Sequence, residues 1–297
     1  MLLRIDKLGA PLMTAPFLAP PAPRAEILSP GEVDLDAYFA RIGYRGPRAP
    51  SHETLAALQR AHLAAIPFEA IDVALGHVVD IAPVAIDRKL LAARRGGFCY
   101  EQNGLFHRVL SALGFEVHGL LARVLLGRAD DDLAGRTHRT LRVTVEGAAY
   151  LVDVGFGAMV PPEPLRLDDP RPQETAHEPW RIASSGGLTR VLALTEEGWS
   201  PMYEFSDEAH TTADYVIANW FTCTHPSSFF RRFLVAARIA PDARFALMDR
   251  RLTIRRRGAA PERHMLGAAD LERVLSDTFK LTVEPNWRPL LARAATT

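Results

Sequence analysis

The segment Arg94-Arg95-Gly96-Gly97-Phe98-Cys99-Tyr100-Glu101-Gln102-Asn103-Gly104 contains one of the two cysteines in a chain of 297 residues. The two adjacent glycines permit a tight turn that residues with a Cβ atom resist. An apolar helical face follows at Leu105, Phe106, Val109, Leu110 and Leu113. The pattern predicts that Cys99 lies at or near the N-terminus of a helix.

A cysteine at a helix N-terminus is a candidate nucleophile. Free backbone N–H groups and the positive end of the helix dipole stabilise the thiolate, which is the reactive form of the side chain. Arg94 and Arg95 add positive charge nearby in sequence. The other interpretation is a buried and inert cysteine, since cysteine is among the most buried residue types. A partner base decides between these two interpretations.

His138 and Asp153 are the candidate base and orienting acid. A cysteine nucleophile needs a base, and the base needs a group that fixes its tautomer. His138 begins a strand-like run with Thr140 and Arg142 on its polar face, and Asp153 interrupts the apolar run 150–154. A carboxylate on a central strand is costly unless it is paired. Adjacent antiparallel strands could therefore place Asp153 beside His138, and His138 would keep Cys99 ionised.

The order of helical and strand signals predicts an α+β fold. Helical faces run from about residue 34 to residue 113, and strand alternation begins near residue 115. Thr140–Val145 and Tyr150–Val154 flank Gly147 and are interpreted as a hairpin. A last helix is predicted at about 270–279. Helices followed by strands, rather than alternating with them, favour α+β over a doubly wound sheet.

Composition excludes several classes of protein. The 35 basic residues balance 35 acidic ones, which argues against general nucleic-acid binding. No apolar run is long enough for a membrane span, and five prolines break the apolar residues 8–23, which we interpret as part of a leader arm rather than a signal peptide. Two distant cysteines indicate reduced thiols in the cytoplasm and no zinc site. The sequence carries no signal of oligomeric state.

Several motifs together resemble the arylamine N-acetyltransferases. Arg95-Gly96-Gly97-Phe98-Cys99-Tyr100-Glu101-Gln102-Asn103 is similar to the active-site motif of that family, and so is Val152-Asp153-Val154-Gly155-Phe156-Gly157. His138 and its spacing to Asp153 also match. Shorter similarities occur at residues 66–69, 122–125 and 224–228. The resemblance extends from about residue 34 to the C-terminal region, in the order that the family has.

The resemblance implies a cysteine-protease-like α+β fold. Its expected parts are a helical bundle carrying the nucleophile (34–115), an antiparallel β-barrel carrying the histidine and aspartate (116–215), and an α/β lid (216–297). The proline-rich N-terminal arm (1–33) precedes them and is longer than the family usually has. The resemblance implies a triad of Cys99, His138 and Asp153. It also implies a ping-pong reaction in which acetyl-CoA, a co-substrate rather than a permanent cofactor, acetylates the cysteine. An arylamine, arylhydrazine or N-hydroxyarylamine then takes the acetyl group.

The resemblance further implies roles for residues around the triad. Backbone at Gly135, Gly155 and Gly157 is expected to approach CoA, and the acceptor pocket is expected to use Phe98, Phe156 and Phe230. Arg95 with Glu101 is expected to form a structural ion pair behind the nucleophile. The chain departs from the family pattern at Ala70, where asparagine is usual, and at Cys223, where serine is common.

Three alternatives remain open from the sequence. An amide synthase of the same fold would use the same triad to close a polyketide macrolactam on an arylamine. A thiol acyl hydrolase or a transglutaminase-like enzyme would share the Cys-His-Asp order. A catalytically silent binding protein is the third class, although all three triad positions are filled.

Overall fold

The computed structural model describes residues 32–128 and 134–297, so most of the predicted N-terminal arm lies outside the described residues. The α-helices are α1 (Leu35–Ile42), α2 (His52–Ala65), α3 (Ile71–Ala74), α4 (Pro83–Asp87), α5 (Cys99–Ala112), α6 (Thr212–Thr224), α7 (Phe229–Arg232), α8 (Ala268–Asp277) and α9 (Arg288–Ala294). A π-helical turn spans Arg88–Ala92, and 3₁₀ turns span Gly157–Met159 and Pro285–Trp287.

The strands follow the helical N-terminal part, as the sequence predicts. They are β1 (Phe68–Glu69), β2 (Glu116–Val124), β3 (Arg136–Val145), β4 (Ala148–Val152), β5 (Leu165–Arg166), β6 (Trp180–Ser185), β7 (Leu188–Thr195), β8 (Gly198–Phe205), β9 (Val235–Ile239), β10 (Arg244–Met248), β11 (Arg251–Arg255) and β12 (Glu262–Met265). The α+β class is confirmed.

Local sequence signals set the helices of the first part. Asp34 caps α1 by accepting from the backbone N–H of Ala37 at 2.9 Å, and Gly43 ends the helix in the left-handed conformation. Ser51 caps α2 in the same way. The apolar faces of α1, α2 and α5 pack against the side of β3 that carries Leu141 and Val143. This core holds α5, and hence Cys99, against the sheet.

A seven-stranded antiparallel sheet forms the nearly closed barrel, in the order β5-β4-β3-β2-β8-β7-β6. Gln173 links its two edges. Its backbone exchanges two hydrogen bonds with Trp180 of β6, while its side chain bonds the backbone of Arg166 in β5. The predicted hairpin is β3–β4, with Glu146 and Gly147 both at positive φ in the turn.

A second, five-stranded sheet has the order β1-β9-β10-β11-β12. Its edge strand β1 comes from the helical N-terminal part, with Phe68 opposite Ala237 and Glu69 opposite Ala236. Helices α8 and α9 cover this sheet with an apolar cluster centred on Trp287. The second sheet is thus tied to the segment that leads into the nucleophile.

One predicted division of the chain lies between two elements of secondary structure, and another lies inside a helix. The helix-to-strand change near residue 115 lies between α5 and β2. The predicted division between residues 215 and 216 falls inside α6, because this helix runs continuously from Thr212 to Thr224. Its residue Tyr215 packs with Phe98 and Tyr100 near the start of α5. The four-part division remains a prediction.

Candidate active site

Cys99 is the first residue of α5, as the sequence predicts. Phe98 precedes it in extended conformation, and its backbone N–H donates to Oε2 of Glu101 at 3.0 Å. The two glycines serve close packing rather than a left-handed turn. A Cβ on Gly96 would lie 2.2 Å from the carbonyl oxygen of Pro67, and one on Gly97 would lie 2.7 Å from Oε2 of Glu101.

His138 and Asp153 lie in hydrogen-bond contact across the β3–β4 hairpin. Nε2 of His138 is 2.6 Å from Oδ2 of Asp153, and the residues are 3% and 0% exposed. Asp153 directly follows the last residue of β4, rather than lying within the strand. The strand pairing explains the contact, because Leu141 of β3 is opposite Val152.

The carboxylate of Asp153 is held from three sides. Oδ2 faces His138, and Oδ1 accepts from Nδ2 of Asn103 at 2.9 Å and from the backbone N–H of Gly155 at 2.7 Å. Burial would raise the pKa of Asp153, but the charge of His138 and these hydrogen bonds lower it below its usual value. Asp153 is therefore an ionised, buried acceptor.

Asp153 and Cys99 together set the charge of His138. Burial alone would lower the pKa of the ring, but the Asp153 carboxylate and a hydrogen bond and charge from Cys99 raise it to about 10. Because Nε2 bonds the carboxylate, Nδ1 is the nitrogen left for the sulfur. The geometry favours an imidazolium between a carboxylate and the Cys99 sulfur at neutral pH.

Asn103 is a site residue that the sequence interpretation did not single out. Its Nδ2 bonds Asp153 and the backbone carbonyl of Arg139 at 2.6 Å, and its Oδ1 accepts from the backbone N–H of Val154 at 3.0 Å. A usable signal was present, because residues four apart share one face of a helix and Asn103 follows Cys99 by four positions. Asn103 therefore joins the nucleophile helix α5 to the segment directly after β4, which contains Asp153.

The three predicted phenylalanines divide between two aromatic groups. Phe156 and Tyr203 each lie close to His138, with ring centroids 4.9 Å from the imidazole. Phe98 and Phe230 meet edge to face at 6.2 Å. Phe98 is fully buried, whereas Phe156 and Phe230 are partly exposed. Tyr203, on β8, had no sequence signal.

The three predicted glycines differ in their surroundings. Gly155 packs against the nucleophile, since a Cβ there would lie 2.7 Å from Cα of Cys99. Gly157 has a φ of +82° and faces the ring of Phe68. Gly135 is exposed and lies just before β3. Their contact with CoA remains a prediction.

The expected ion pair between Arg95 and Glu101 is wrong. Arg95 Nη2 instead lies 2.8 Å from Glu69 and 3.2 Å from Asp72. Glu101 contacts Nζ of Lys89 at 2.8 Å. Arg95 and Lys89 share Asp72 and Glu69, but of these two cations only Lys89, which the π-helical turn brings next to Glu101, pairs with that carboxylate.

Cys223 has none of the features of Cys99. It lies in the last turn of α6 with no exposed surface, and its sulfur is 3.6 Å from Oδ1 of Asn219. Burial raises the pKa of its thiol to about 11. Both cysteines are free thiols.

A cavity of about 520 Å³ lies between the barrel and the second sheet. Met159 and Met202 contribute to its wall, and Met202 is followed in the chain by Tyr203, which contacts His138. Cys99, His138 and Asp153 are not among the lining residues. Its arginines are Arg244, Arg255, Arg256, Arg257 and Arg263, and its carboxylates are Glu178, Glu196 and Glu197.

Arg244 and Arg255 are directly opposite each other on β10 and β11 in the wall of this cavity. Arg244 is buried and bonds Glu178 as well as the carbonyl oxygens of Ala158 and Val160, at 3.1 and 2.9 Å. Within residues 32–128 and 134–297, Arg255 makes no ion pair. Arg255 is therefore a lining cation without an ion-pair partner among the described residues, although the lining also holds Glu196 and Glu197, which make no ion pair there either.

The residues that the structure describes contain neither a candidate metal site nor a candidate membrane-spanning helix. No group of three or more histidine, cysteine, aspartate or glutamate side chains there could hold a metal ion. None of the helices described has the length and apolar character needed to cross a membrane.

Comparison with known proteins gives a consistent result. Residues 51–288 match a family model described as N-acetyltransferase. The arylamine N-acetyltransferase of Mycolicibacterium smegmatis is 41% identical over 251 residues, covering 83% of this chain and 91% of that protein.

Solved structures agree in fold and in sequence. The arylamine N-acetyltransferase of Mycobacterium marinum superimposes with a TM-score of 0.84 at 41% identity, covering 89% of this chain and 99% of that one. Its complex with CoA superimposes with a TM-score of 0.82 at 40% identity, covering 88% and 98%. The chain therefore belongs to the arylamine N-acetyltransferase family.

Proposed function

We propose that the protein transfers an acetyl group from acetyl-CoA to an aromatic amine, hydrazine or hydroxylamine through a thioester on Cys99. The observation that carries this proposal is the buried hydrogen bond between His138 and Asp153 beside Cys99, the first residue of α5. A helix N-terminus and an imidazolium both stabilise a thiolate, which is the form that attacks a thioester.

The first half-reaction acetylates the enzyme. The Cys99 thiolate attacks the carbonyl carbon of acetyl-CoA, and the bond from that carbon to the sulfur of CoA breaks. His138 gives its proton to the departing CoA thiolate and becomes neutral. Free CoA leaves, and the acetyl group stays on Cys99 as a thioester. The covalent intermediate divides one transfer into two easier steps.

The second half-reaction transfers the group to the amine. The amine nitrogen attacks the thioester carbonyl, and neutral His138 accepts the proton that the nitrogen loses. The bond to Cys99 breaks, which releases the amide and restores the thiolate–imidazolium pair. Asp153 keeps the ring oriented and stabilises its charge in both halves, while Asn103 holds the carboxylate in place.

The surroundings of the triad support an aromatic acceptor. The rings of Phe156 and Tyr203 lie against His138. Phe230 belongs to the second aromatic group, where its ring meets that of Phe98 edge to face. Flat apolar rings favour a flat aromatic amine by stacking and burial. The relatives are arylamine N-acetyltransferases, which points to the same substrate class.

The cavity beside the barrel supports CoA as the carrier of the acetyl group. CoA is anionic, and Arg255, which has no ion-pair partner among the described residues, would favour its phosphates. The M. marinum relative forms a complex with CoA. Met202 lines this cavity and is followed by Tyr203, whose ring lies 4.9 Å from that of His138, so the acyl arm would extend from the phosphate region past these residues toward Cys99. Two free thiols and the use of acetyl-CoA fit a cytoplasmic location.

Incubation with acetyl-CoA tests the proposal. Peptide mass spectrometry should find an acetyl group on Cys99 and none on Cys223, with one CoA released per enzyme before any amine is added. Addition of an aniline-type or hydrazine-type amine should then remove the acetyl group as an amide. Cys99→Ala should abolish both steps, and Cys223→Ser, the matched control, should retain them.

The same experiment separates the alternatives. Continued CoA release without amine would indicate a thiol acyl hydrolase. A folded enzyme that takes no acetyl group from acetyl-CoA, yet accepts an acyl chain from a carrier protein, would indicate an amide synthase. No adduct from either donor would indicate a binding protein and overturn the proposal.

A further inference from the structure

A lysine lies behind the nucleophile at the centre of three carboxylates. Nζ of Lys89 is 2.6 Å from Asp72, 2.8 Å from Glu101 and 3.9 Å from Glu69. Only three of the 35 basic residues of the chain are lysines. Lysine suits this position because its ammonium is a compact charge with three donors, whereas arginine presents a planar fork.

The local backbone brings Lys89 to this position. It belongs to the π-helical turn Arg88–Ala92, which follows α4 without interruption. Such turns are rare and are frequent at functional sites. The lysine side chain is 16% exposed, and those of Glu69 and Glu101 are at most 1% exposed. The contact is therefore largely screened from water.

Glu101 connects this cluster to the nucleophile. One carboxylate oxygen contacts Lys89, and the other accepts from the backbone N–H of Phe98, the residue before Cys99. Phe98 has no side-chain oxygen or nitrogen with which to cap α5. Gly97 leaves the space that the carboxylate occupies. Glu101 thus holds the backbone at the start of the nucleophile helix.

The charges around Glu101 do not balance without the lysine. Arg95 makes no ion pair with Glu101, because its guanidinium forms ion pairs with Glu69, Asp72 and Glu284, at 2.8, 3.2 and 3.1 Å. In the described ranges 32–128 and 134–297, Lys89 is the one cation in contact with Glu101. Burial raises the pKa of Glu101, Lys89 lowers it and Glu69 raises it, with a result of about 7.

We propose that Lys89 is a positioning residue for the acetyl transfer: it keeps Glu101 ionised, so that this carboxylate fixes the Phe98 N–H and with it the position of Cys99. The inference rests on the proposed role of Cys99 as the nucleophile. It goes beyond that role by assigning a buried lysine on another element to the geometry of the attack.

The pH dependence of Cys99 acylation tests the inference, with p-nitrophenyl acetate as the acyl donor. The wild-type rate should fall as the pH drops through about 7, where Glu101 takes up a proton. Lys89→Met should move this fall upward by about one pH unit or more, because a lone buried carboxylate binds its proton more tightly. The rate at pH 7 should then fall by about fivefold or more, because the ionised fraction of Glu101 falls from about one half to about one tenth or less.

Two further variants distinguish positioning from general support of the fold. Lys89→Arg restores a cation. The pH at which the acylation rate falls should therefore return most of the way to its wild-type value. In the double variant Lys89→Met/Glu101→Gln, the shift should be absent, because the side chain that accepts from the Phe98 N–H no longer titrates. Lys280→Met removes an exposed lysine elsewhere and is the matched control. Thermal unfolding reports whether each variant is folded.

Each outcome decides a separate point. A rate that Lys89→Met lowers equally at every pH, or a shift that persists in the double variant, would overturn the inference. If Lys89→Met does not fold, Glu101→Gln alone should remove the fall in acylation rate near pH 7. A fall that remains in this variant contradicts the inference. A folded wild-type enzyme that is not acylated at Cys99 would instead overturn the proposed function.

Discussion

Nε2 of His138 lies 2.6 Å from Oδ2 of Asp153, with both side chains buried and Cys99 as a second hydrogen-bond partner of the ring. A buried carboxylate next to an imidazole holds the ring in its charged form. The pair therefore contributes to stability as well as to reactivity, and the two contributions can be measured separately.

Stability should fall as the pH rises above neutrality. The pKa of His138 is about 10 in the folded protein and 6.5 in an ordinary environment. Between these values the folded state binds more protons than the unfolded state, so the contribution is complete below about pH 6.5 and is lost as the pH approaches 10. The lowered pKa of Asp153 acts at the acid end, where its contribution is lost as the pH falls.

Urea denaturation of wild type and His138→Gln measures this contribution. The wild-type free energy of unfolding should decrease between pH 6.5 and 10 by a few kcal/mol, roughly, relative to the variant. Parallel pH profiles for the two proteins would contradict a raised pKa of His138 in the folded state.

The two cysteines should differ sharply in reactivity. Cys99 begins a helix beside His138, whereas burial raises the pKa of the Cys223 thiol to about 11. Iodoacetamide at pH 7.5 should therefore label Cys99 at least about 100 times faster, since the thiolate is the reactive form. Peptide mapping over time gives both rates. Equal labelling of the two peptides in folded protein would refute the assignment of a single reactive thiol.

Local signals predicted much of the fold near the site. The glycine pair and the apolar face after it located the start of α5, and the alternation at residues 140–145 located β3. The turn at Gly147 was recognisable and made His138 and Asp153 candidates for neighbouring strands, but the register that brings them together, with Leu141 opposite Val152, comes from the structure. These features depend on neighbours within about 15 residues.

Contacts between distant segments could not be predicted in the same way. Strand β1 has two residues, too few for an alternation pattern, and its partner β9 lies far along the chain. Arg95 reaches Glu69 and Glu284, which no spacing rule connects. The family resemblance supplied Glu101 as its partner, and this was wrong because Lys89 takes that carboxylate.

Gly155→Ala should damage the site through the backbone. The added Cβ would lie 2.7 Å from Cα of Cys99 and 2.8 Å from Nδ2 of Asn103, so α5 would have to move away from β4. We expect a loss of about 1–3 kcal/mol in stability and a large loss of acylation rate. Urea denaturation and CoA release measure the two effects.

Gly267→Ala is the control for this substitution, because no heavy atom lies within 4 Å of a Cβ built there. It should retain the acylation rate of the wild type. If Gly155→Ala also retains that rate, the close contact between this glycine and Cys99 is not needed for the attack.

Arg255→Gln should weaken the use of acetyl-CoA without harming the triad. Arg255 makes no ion pair with any described residue, and it lines the cavity opposite Arg244. If it binds a phosphate of CoA, its loss should raise the KM for acetyl-CoA by about tenfold, the size of one hydrogen bond to a charged group. Acylation by p-nitrophenyl acetate, which has no phosphate, should be unchanged.

Arg251→Gln is the control, because Arg251 lies on the same strand but outside the cavity lining; it should leave acylation by both donors unaffected. An equal loss with both donors would show that Arg255 supports the fold, and no loss with either would place the phosphates elsewhere.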